Sequence, residues 1–155
     1  MTVTVLFVCM GNICRSPLAE AALRAEAGRT GVDVEVDSAG TGGWHAGEPP
    51  DRRARAVAAR HGVDISSLRA RQVRHEDFYR FDHIIALDRE NFAGLEAIRP
   101  QDASAQLSLL LDHVPGREGE AVADPYYGGE AQFEATWRDV SEGARALVRK
   151  IGAAS

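Results

Sequence analysis

The chain has 155 residues, 45% of them hydrophobic, and a formal net charge of −5, which is enough apolar side chain for one cored domain over residues 1–155 without disulfide staples. The acidic balance argues against nucleic-acid partners, which call for a basic face, yet leaves room for a locally positive anion pocket. No apolar run reaches the roughly 18 residues of a membrane span, and the apolar Val3 to Val8 segment has no basic flank, so a cytoplasmic protein without a membrane partner is expected. Two cysteines do not make a disulfide framework in a chain of this length, so they are read for thiol chemistry.

In chain order, the β-branched run Val3 to Val8 predicts a buried strand. Ser16-Pro17 then opens a helix that gathers Leu18, Ala19, Ala22 and Leu23 on one face. Val34 to Asp37 reads as a second strand, Asp51 to His61 as a helix, His83 to Leu87 as a third strand and Arg89 to Ile98 as a helix. Gln106 to Leu111 suits a fourth strand, and Gln132 to Ile151 a closing helix. Strands alternating with helices imply an α/β fold with a parallel sheet covered on both faces. Such sheets bind ligands at the carboxyl ends of their strands, which directs attention to the loop after the first strand.

That loop reads Cys9-Met10-Gly11-Asn12-Ile13-Cys14-Arg15-Ser16. Free cysteine, with a pKa of about 8.5, is mostly protonated at neutral pH, and a helix N-terminus beside a cation favours the thiolate. The same geometry turns orphan backbone N–H groups toward one point, where they can cradle a phosphate. Gly11 and Asn12 tolerate the left-handed backbone that such a coil requires. Arg15 offers a planar fork to two phosphoryl oxygens, which lysine cannot copy. Ser16 has two candidate uses, as the helix N-cap or as a hydroxyl beside the Cys9 sulfur. The plain alternative makes both cysteines small buried hydrophobes and Arg15 a solvated helix residue. A nucleotide P-loop lacks its Gly-Lys-Ser/Thr ending here, and no histidine spacing supports a metal.

An aryl phosphate leaves as a phenolate of pKa about 10 unless a carboxylic acid protonates it. Asp124 in Ala123-Asp124-Pro125-Tyr126-Tyr127-Gly128 is the candidate, with Pro125 extending the backbone and two aromatics offering a wall for a flat ring.

With these residues in place, the sequence resembles the low-molecular-weight protein tyrosine phosphatases over essentially its whole length. The resemblance rests on Val8 to Pro17, on Asp37-Ser38-Ala39-Gly40-Thr41 and on Asp124 to Gly128, in that order. It implies a four-stranded parallel sheet flanked by helices and hydrolysis without metal or other cofactor. It also implies catalytic roles for Cys9, Arg15 and Asp124, with residues Met10 to Cys14 and Ser16 binding the phosphate. Asn12 would be held by Ser16 and Ser38, and Trp44, Tyr126 and Tyr127 would enclose the substrate ring. Many members carry a histidine that supports the loop asparagine, and Leu68 stands at the matching position, so the support for Asn12 is expected to be thinner or supplied differently. The implied partners are phosphotyrosine-containing proteins and a cognate tyrosine kinase. A monomer is expected, with weak self-association through Tyr126 or Tyr127 left open.

Relatives that reduce arsenate use further distal cysteines, which this chain lacks. Relatives that hydrolyse phosphoarginine carry threonine at the Ile13 position and a single aromatic in the acid loop, so Ile13 and the Tyr126-Tyr127 pair favour an aryl substrate. A non-catalytic phosphoprotein-binding module would have shed the nucleophile or the acid. Cys14, five residues from Cys9, is expected to protect it by a reversible disulfide, with simple packing as the alternative.

Overall fold

The computed structural model describes residues 2–154. Strand β1 (Val3–Cys9) runs into α1 (Arg15–Thr30), followed by β2 (Val34–Gly40), α2 (Arg52–Arg60), α3 (Asp77–Arg80), β3 (His83–Ala86) and α4 (Arg89–Ile98). Strand β4 (Gln106–Leu109), a 3-10 turn (Leu110–His113) and α5 (Glu130–Ala154) complete the order. The four strands form one sheet in the order β2-β1-β3-β4, and every neighbouring pair is parallel. The strands therefore end together at one edge, and β1, in the middle, delivers Cys9 beside Gly40 of β2.

Side chains alternate across the sheet as a pleated strand requires. Val5, Phe7, Cys9 and Ile85 join α1, α2 and α5 in one core, which includes Leu18, Val57, Phe133 and Val140. Leu6, Val8, Ile84 and Ala86 face the opposite way and pack with Phe78 of α3 and Leu95 of α4. Both faces are thus covered, which explains why β1 and β3 read as continuous apolar runs rather than alternating ones. Each fully buried Phe or Leu stabilises this arrangement by about 1.5–3 kcal/mol.

Helix starts at the functional edge are fixed by carboxylates. Asp51 caps α2 by accepting from the Arg53 N–H at 2.8 Å. Asp88 caps α4 by accepting from the Asn91 N–H at 2.7 Å. Such caps are worth about 1 kcal/mol each.

Three local expectations need correction. The fourth strand stops at Leu109 because the Asp112 carboxylate accepts the Leu109 N–H at 3.1 Å and turns the chain into a 3-10 turn. Helix α3 was not expected; its four residues are too short for any periodic pattern. Ser16 is not the cap of α1, since the cap position falls at Cys14 and no side chain caps there.

Candidate active site

The loop from Cys9 to Arg15 is shaped by where its carbonyls go. The Cys9 carbonyl accepts from the Thr41 N–H at 2.8 Å, that of Met10 from the Gly42 N–H at 3.0 Å, and that of Ile13 from the Asp51 N–H at 2.8 Å. With these carbonyls engaged on the outside, the backbone N–H groups of Gly11, Asn12, Ile13 and Cys14 have no protein acceptor among the described residues. They remain available to an anion, and the start of α1 adds its own positive end. Gly40 makes this closeness possible, because a Cβ there would lie 2.7 Å from the Met10 carbonyl oxygen.

Asn12 is the only non-glycine residue with positive φ among the described residues, at 58°. Its side chain fixes that conformation with three hydrogen bonds. Nδ2 donates to Ser16 Oγ at 2.8 Å and to Ser38 Oγ at 3.0 Å, and Oδ1 accepts from the Arg71 N–H at 3.0 Å. The backbone of Arg71 supplies the third support, while Leu68, three residues earlier, packs against the core. Gly11, expected to be left-handed, is not. A Cβ there would sit 3.0 Å from the His45 ring, a tight contact that the ring would have to shift to relieve.

Behind Ser38 stands Glu20, 2% exposed, whose Oε1 accepts from the Ser38 hydroxyl at 2.7 Å and whose other oxygen pairs with Arg24 at 2.9 Å. Burial raises its pKa above the ordinary carboxylate value, against the opposing pull of Ser38 and Arg24. The chain Arg24, Glu20, Ser38, Asn12, Ser16 therefore runs from the surface to the Cys9 sulfur.

Cys9 is buried, with its Sγ 3.0 Å from Ser16 Oγ. Because Ser16 Oγ already accepts from Asn12, its hydroxyl proton is free to donate to the sulfur. Cys14 is also a buried free thiol, but burial pushes its pKa up strongly, helped by the Asp51 carboxylate, so it stays protonated. Arg15 is 3% exposed and locked in place: Nη1 donates to Asp88 Oδ2 at 2.8 Å and to the Val122 carbonyl at 2.9 Å. Its Nη2 is 3.7 Å from Asp124 Oδ2.

Asp124 lies on the opposite rim, with its side chain 46% exposed. The Tyr126 N–H donates to Asp124 Oδ1 at 3.1 Å, a local turn that leaves the second oxygen facing Arg15. A cavity of about 350 Å³ is lined by Cys9, Met10, Gly11, Ile13, Cys14 and Arg15 at its foot and by Trp44, His45, Asp124, Tyr126 and Tyr127 around its mouth. The two tyrosine rings meet edge to face at 5.0 Å, and Trp44 and Tyr127 are largely exposed. Nearly every residue singled out in the sequence thus faces one cavity; Asn12, Ser16 and Ser38 stand behind it as supports.

Sequence reasoning missed Asp88, which anchors Arg15, and the supports Glu20 and Arg71. Asp88 carried a readable signal, an acidic residue between the third strand and a helix start at the ligand-binding edge of the sheet. His45 and Arg53 carried none beyond their proximity to Trp44 and Asp51.

An anion cradle that opens a helix after the first strand of a parallel sheet, built around a buried thiol, fits a cysteine-dependent class of phosphate-ester hydrolase. The chain belongs to the low molecular weight phosphotyrosine protein phosphatase family, whose model matches residues 4–155. It is 40% identical over 151 residues to the low molecular weight protein-tyrosine-phosphatase YfkJ of Bacillus subtilis, spanning 96% of both chains. The crystal structure of YfkJ is similar with a TM-score of 0.92 at 38% identity, over 100% of this chain and 98% of that one. A protein tyrosine phosphatase from Entamoeba histolytica gives 0.92 at 33% identity over 99% of each chain. A Drosophila arginine phosphatase gives 0.88 at 33% identity over 94% of this chain and 96% of that one. On this footing the chain is a protein-tyrosine-phosphatase, a phosphoric monoester hydrolase. Among the described residues, no helix is long and apolar enough to cross a membrane.

Proposed function

We propose that Cys9 is the nucleophile, Arg15 the phosphate clamp and Asp124 the general acid of a two-step hydrolysis of phosphotyrosine. The Cys9 thiolate attacks phosphorus while the bond to the phenolic oxygen breaks, and the protonated Asp124 delivers its proton to that oxygen. The loop N–H groups and the Arg15 fork meet the phosphoryl oxygens, supplying the charge stabilisation that the transferring group requires without a metal. Asp124, now a carboxylate, then takes a proton from the water that attacks the cysteinyl phosphate. The Cys9 thiolate departs, stabilised by the Ser16 hydroxyl.

The observation that carries this reading is the common cavity. Cys9 and Arg15 form its foot and Asp124 its rim, with Tyr126, Tyr127 and Trp44 arranged to flank a flat ring. Ile13, 9% exposed, presents an apolar surface to the same space, which favours an aryl ester over phosphoarginine. The reading extends to phosphotyrosine proteins and a kinase that makes them as partners, and to one monomeric domain over residues 1–155. It also places the enzyme in the cytoplasm, where reducing conditions suit two free cysteines.

The test is turnover of p-nitrophenyl phosphate and of phosphotyrosine and phosphoarginine peptides in the presence of EDTA. Full activity on the aryl substrates with little on phosphoarginine is expected. Activity lost with EDTA, or phosphoarginine hydrolysed faster than phosphotyrosine, would overturn it. The mechanism also exposes Cys9 to oxidation, and the protective reading of Cys14 predicts that one equivalent of peroxide blocks both thiols reversibly. If Cys14 is still alkylated while Cys9 is oxidised, Cys14 is packing alone.

A further inference from the structure

Asp124 lies in a loop that few hydrogen bonds tie to the rest of the protein. Residues 122–129 leave the sheet edge where the Val122 N–H donates to the Leu87 carbonyl at 2.8 Å, and the Thr136 hydroxyl reaches the Ala123 carbonyl at 3.4 Å. Beyond that point the hydrogen bonds are internal, from Tyr126 N–H to Asp124 and from Gly128 N–H to the Pro125 carbonyl at 2.8 Å. Among the described residues one hydrogen bond joins residues 124–128 to another element, from Arg53 Nη1 to the Gly128 carbonyl at 2.9 Å, beside the longer Arg15–Asp124 ion pair at 3.7 Å.

Arg53 is itself held from the phosphate-loop side. Its Nε and Nη2 grip the Asp51 carboxylate at 3.0 and 3.1 Å, and the Asp51 N–H donates to the Ile13 carbonyl at 2.8 Å. Its guanidinium also lies 5.6 Å from the Tyr126 ring centre and 4.8 Å from that of Phe133. A guanidinium can stack on rings and direct separate donors at two acceptors, and a lysine cannot do both.

We infer that Arg53 is a positioning residue that ties the acid loop to the phosphate loop, setting the distance from Asp124 to the leaving oxygen while touching no substrate atom. This rests on Asp124 being the general acid. A misplaced acid matters in proportion to how much the leaving group needs a proton, so the defect should depend on the leaving group rather than lower all rates alike.

The experiment measures kcat/KM for aryl phosphates of rising leaving-group pKa in wild type, Arg53→Met, Arg53→Lys, Asp124→Asn and the Arg53→Met/Asp124→Asn pair. For Arg53→Met the loss should be about tenfold for a phenol-like leaving group of pKa about 10 and within about threefold for an acidic nitrophenol. Arg53→Lys, keeping the charge on a single donor nitrogen without the planar fork, should fall between. In the Asp124→Asn background, Arg53→Met should cost less than about twofold on any substrate, because there is no acid left to position. Inhibition by inorganic phosphate should change by less than about twofold when Arg53 is replaced, in either Asp124 background, reporting an intact phosphate loop.

Equal losses across the series, or losses that multiply with Asp124→Asn, would overturn the inference and leave Arg53 as a fold contact. If Arg53→Met does not fold, the Arg53→Lys slope decides by the same criterion. If Asp124→Asn itself shows no leaving-group dependence, the assignment of the acid fails instead, and the two failures are told apart within one data set.

Discussion

The phosphate loop and the acid loop face each other across one cavity and are built in opposite ways. Between Cys9 and Arg15, carbonyls are engaged outside, Asn12 makes three side-chain bonds, and Arg15 is anchored by Asp88 and the Val122 carbonyl. Between Asp124 and Gly128, the side chains of Asp124, Tyr126 and Tyr127 are exposed while Pro125 is buried, and the backbone hydrogen-bonds chiefly to the loop itself. The difference suits the proposed roles of the two loops. Charge must be met by dipoles fixed in advance, since reorganising them during reaction would forfeit their effect. A proton donor must reach a leaving oxygen whose ring enters and departs, which favours a loop of lower local stability.

The largest way to sharpen this contrast is to remove the nucleophile while keeping the cradle. Cys9→Ser should lose about 10⁴-fold or more in kcat, yet phosphate should still bind, because the cradle is made of backbone N–H groups and Arg15. Loss of phosphate binding in this variant would mean that the sulfur, not the loop, organises the site. On the opposite rim, Asp124→Asn should slow a phenol-like leaving group by about 10²-fold and an acidic nitrophenol far less. An equal loss on both would place the acid elsewhere.

A smaller effect is expected from Ser38→Ala, which removes one of the three bonds on Asn12 and takes the donor from Glu20 Oε1. Leaving a buried polar group unsatisfied costs about 1–3 kcal/mol, so activity and phosphate affinity should fall together by about tenfold or more. Losses confined to poor leaving groups would show that the two loops are not separate in the sense argued. Ile13→Thr is expected to raise phosphoarginine relative to phosphotyrosine hydrolysis by a few-fold at most, about 1 kcal/mol, and an unchanged ratio leaves Ile13 as loop packing.

The smallest effect is a pH slope. Burial raises the Glu20 pKa, so above the usual carboxylate value of 4.5 the folded state binds more proton than the unfolded one. That contribution to stability is fully present below the unfolded pKa and is lost as pH rises through the raised folded value. Urea midpoints of wild type should therefore decline across that window relative to Glu20→Gln. Parallel curves would show that Glu20 is ionised in the fold at no cost.

The sequence was most informative where chemistry and local structure coincide. The strand at Val3–Cys9, the loop, the helix after it and the Asp-Pro-Tyr-Tyr segment could all be read directly. Their residue types state both a backbone need and a reactive role. What could not be read depends on distance in the chain. Asp88 meets Arg15 only because β1 and β3 are neighbours in the sheet, and Arg71 reaches Asn12 by its backbone N–H, which no side-chain identity announces. Leu68 shows the limit of comparison by position, since support for Asn12 comes from a group three residues away. At Gly11 the sequence suggests a left-handed backbone that the structure does not show; what stands near it is the His45 ring.

The central claim is that phosphorus passes through the sulfur of Cys9. It is tested most directly by rapidly denaturing the enzyme during turnover of p-nitrophenyl phosphate and examining the protein by phosphorus NMR and peptide mass mapping. The account predicts a cysteinyl phosphate confined to Cys9, absent from Cys9→Ser and formed in a burst of phenol equal to the enzyme present. A turnover-competent enzyme with no phosphoenzyme, or with phosphate on any other residue, would contradict it.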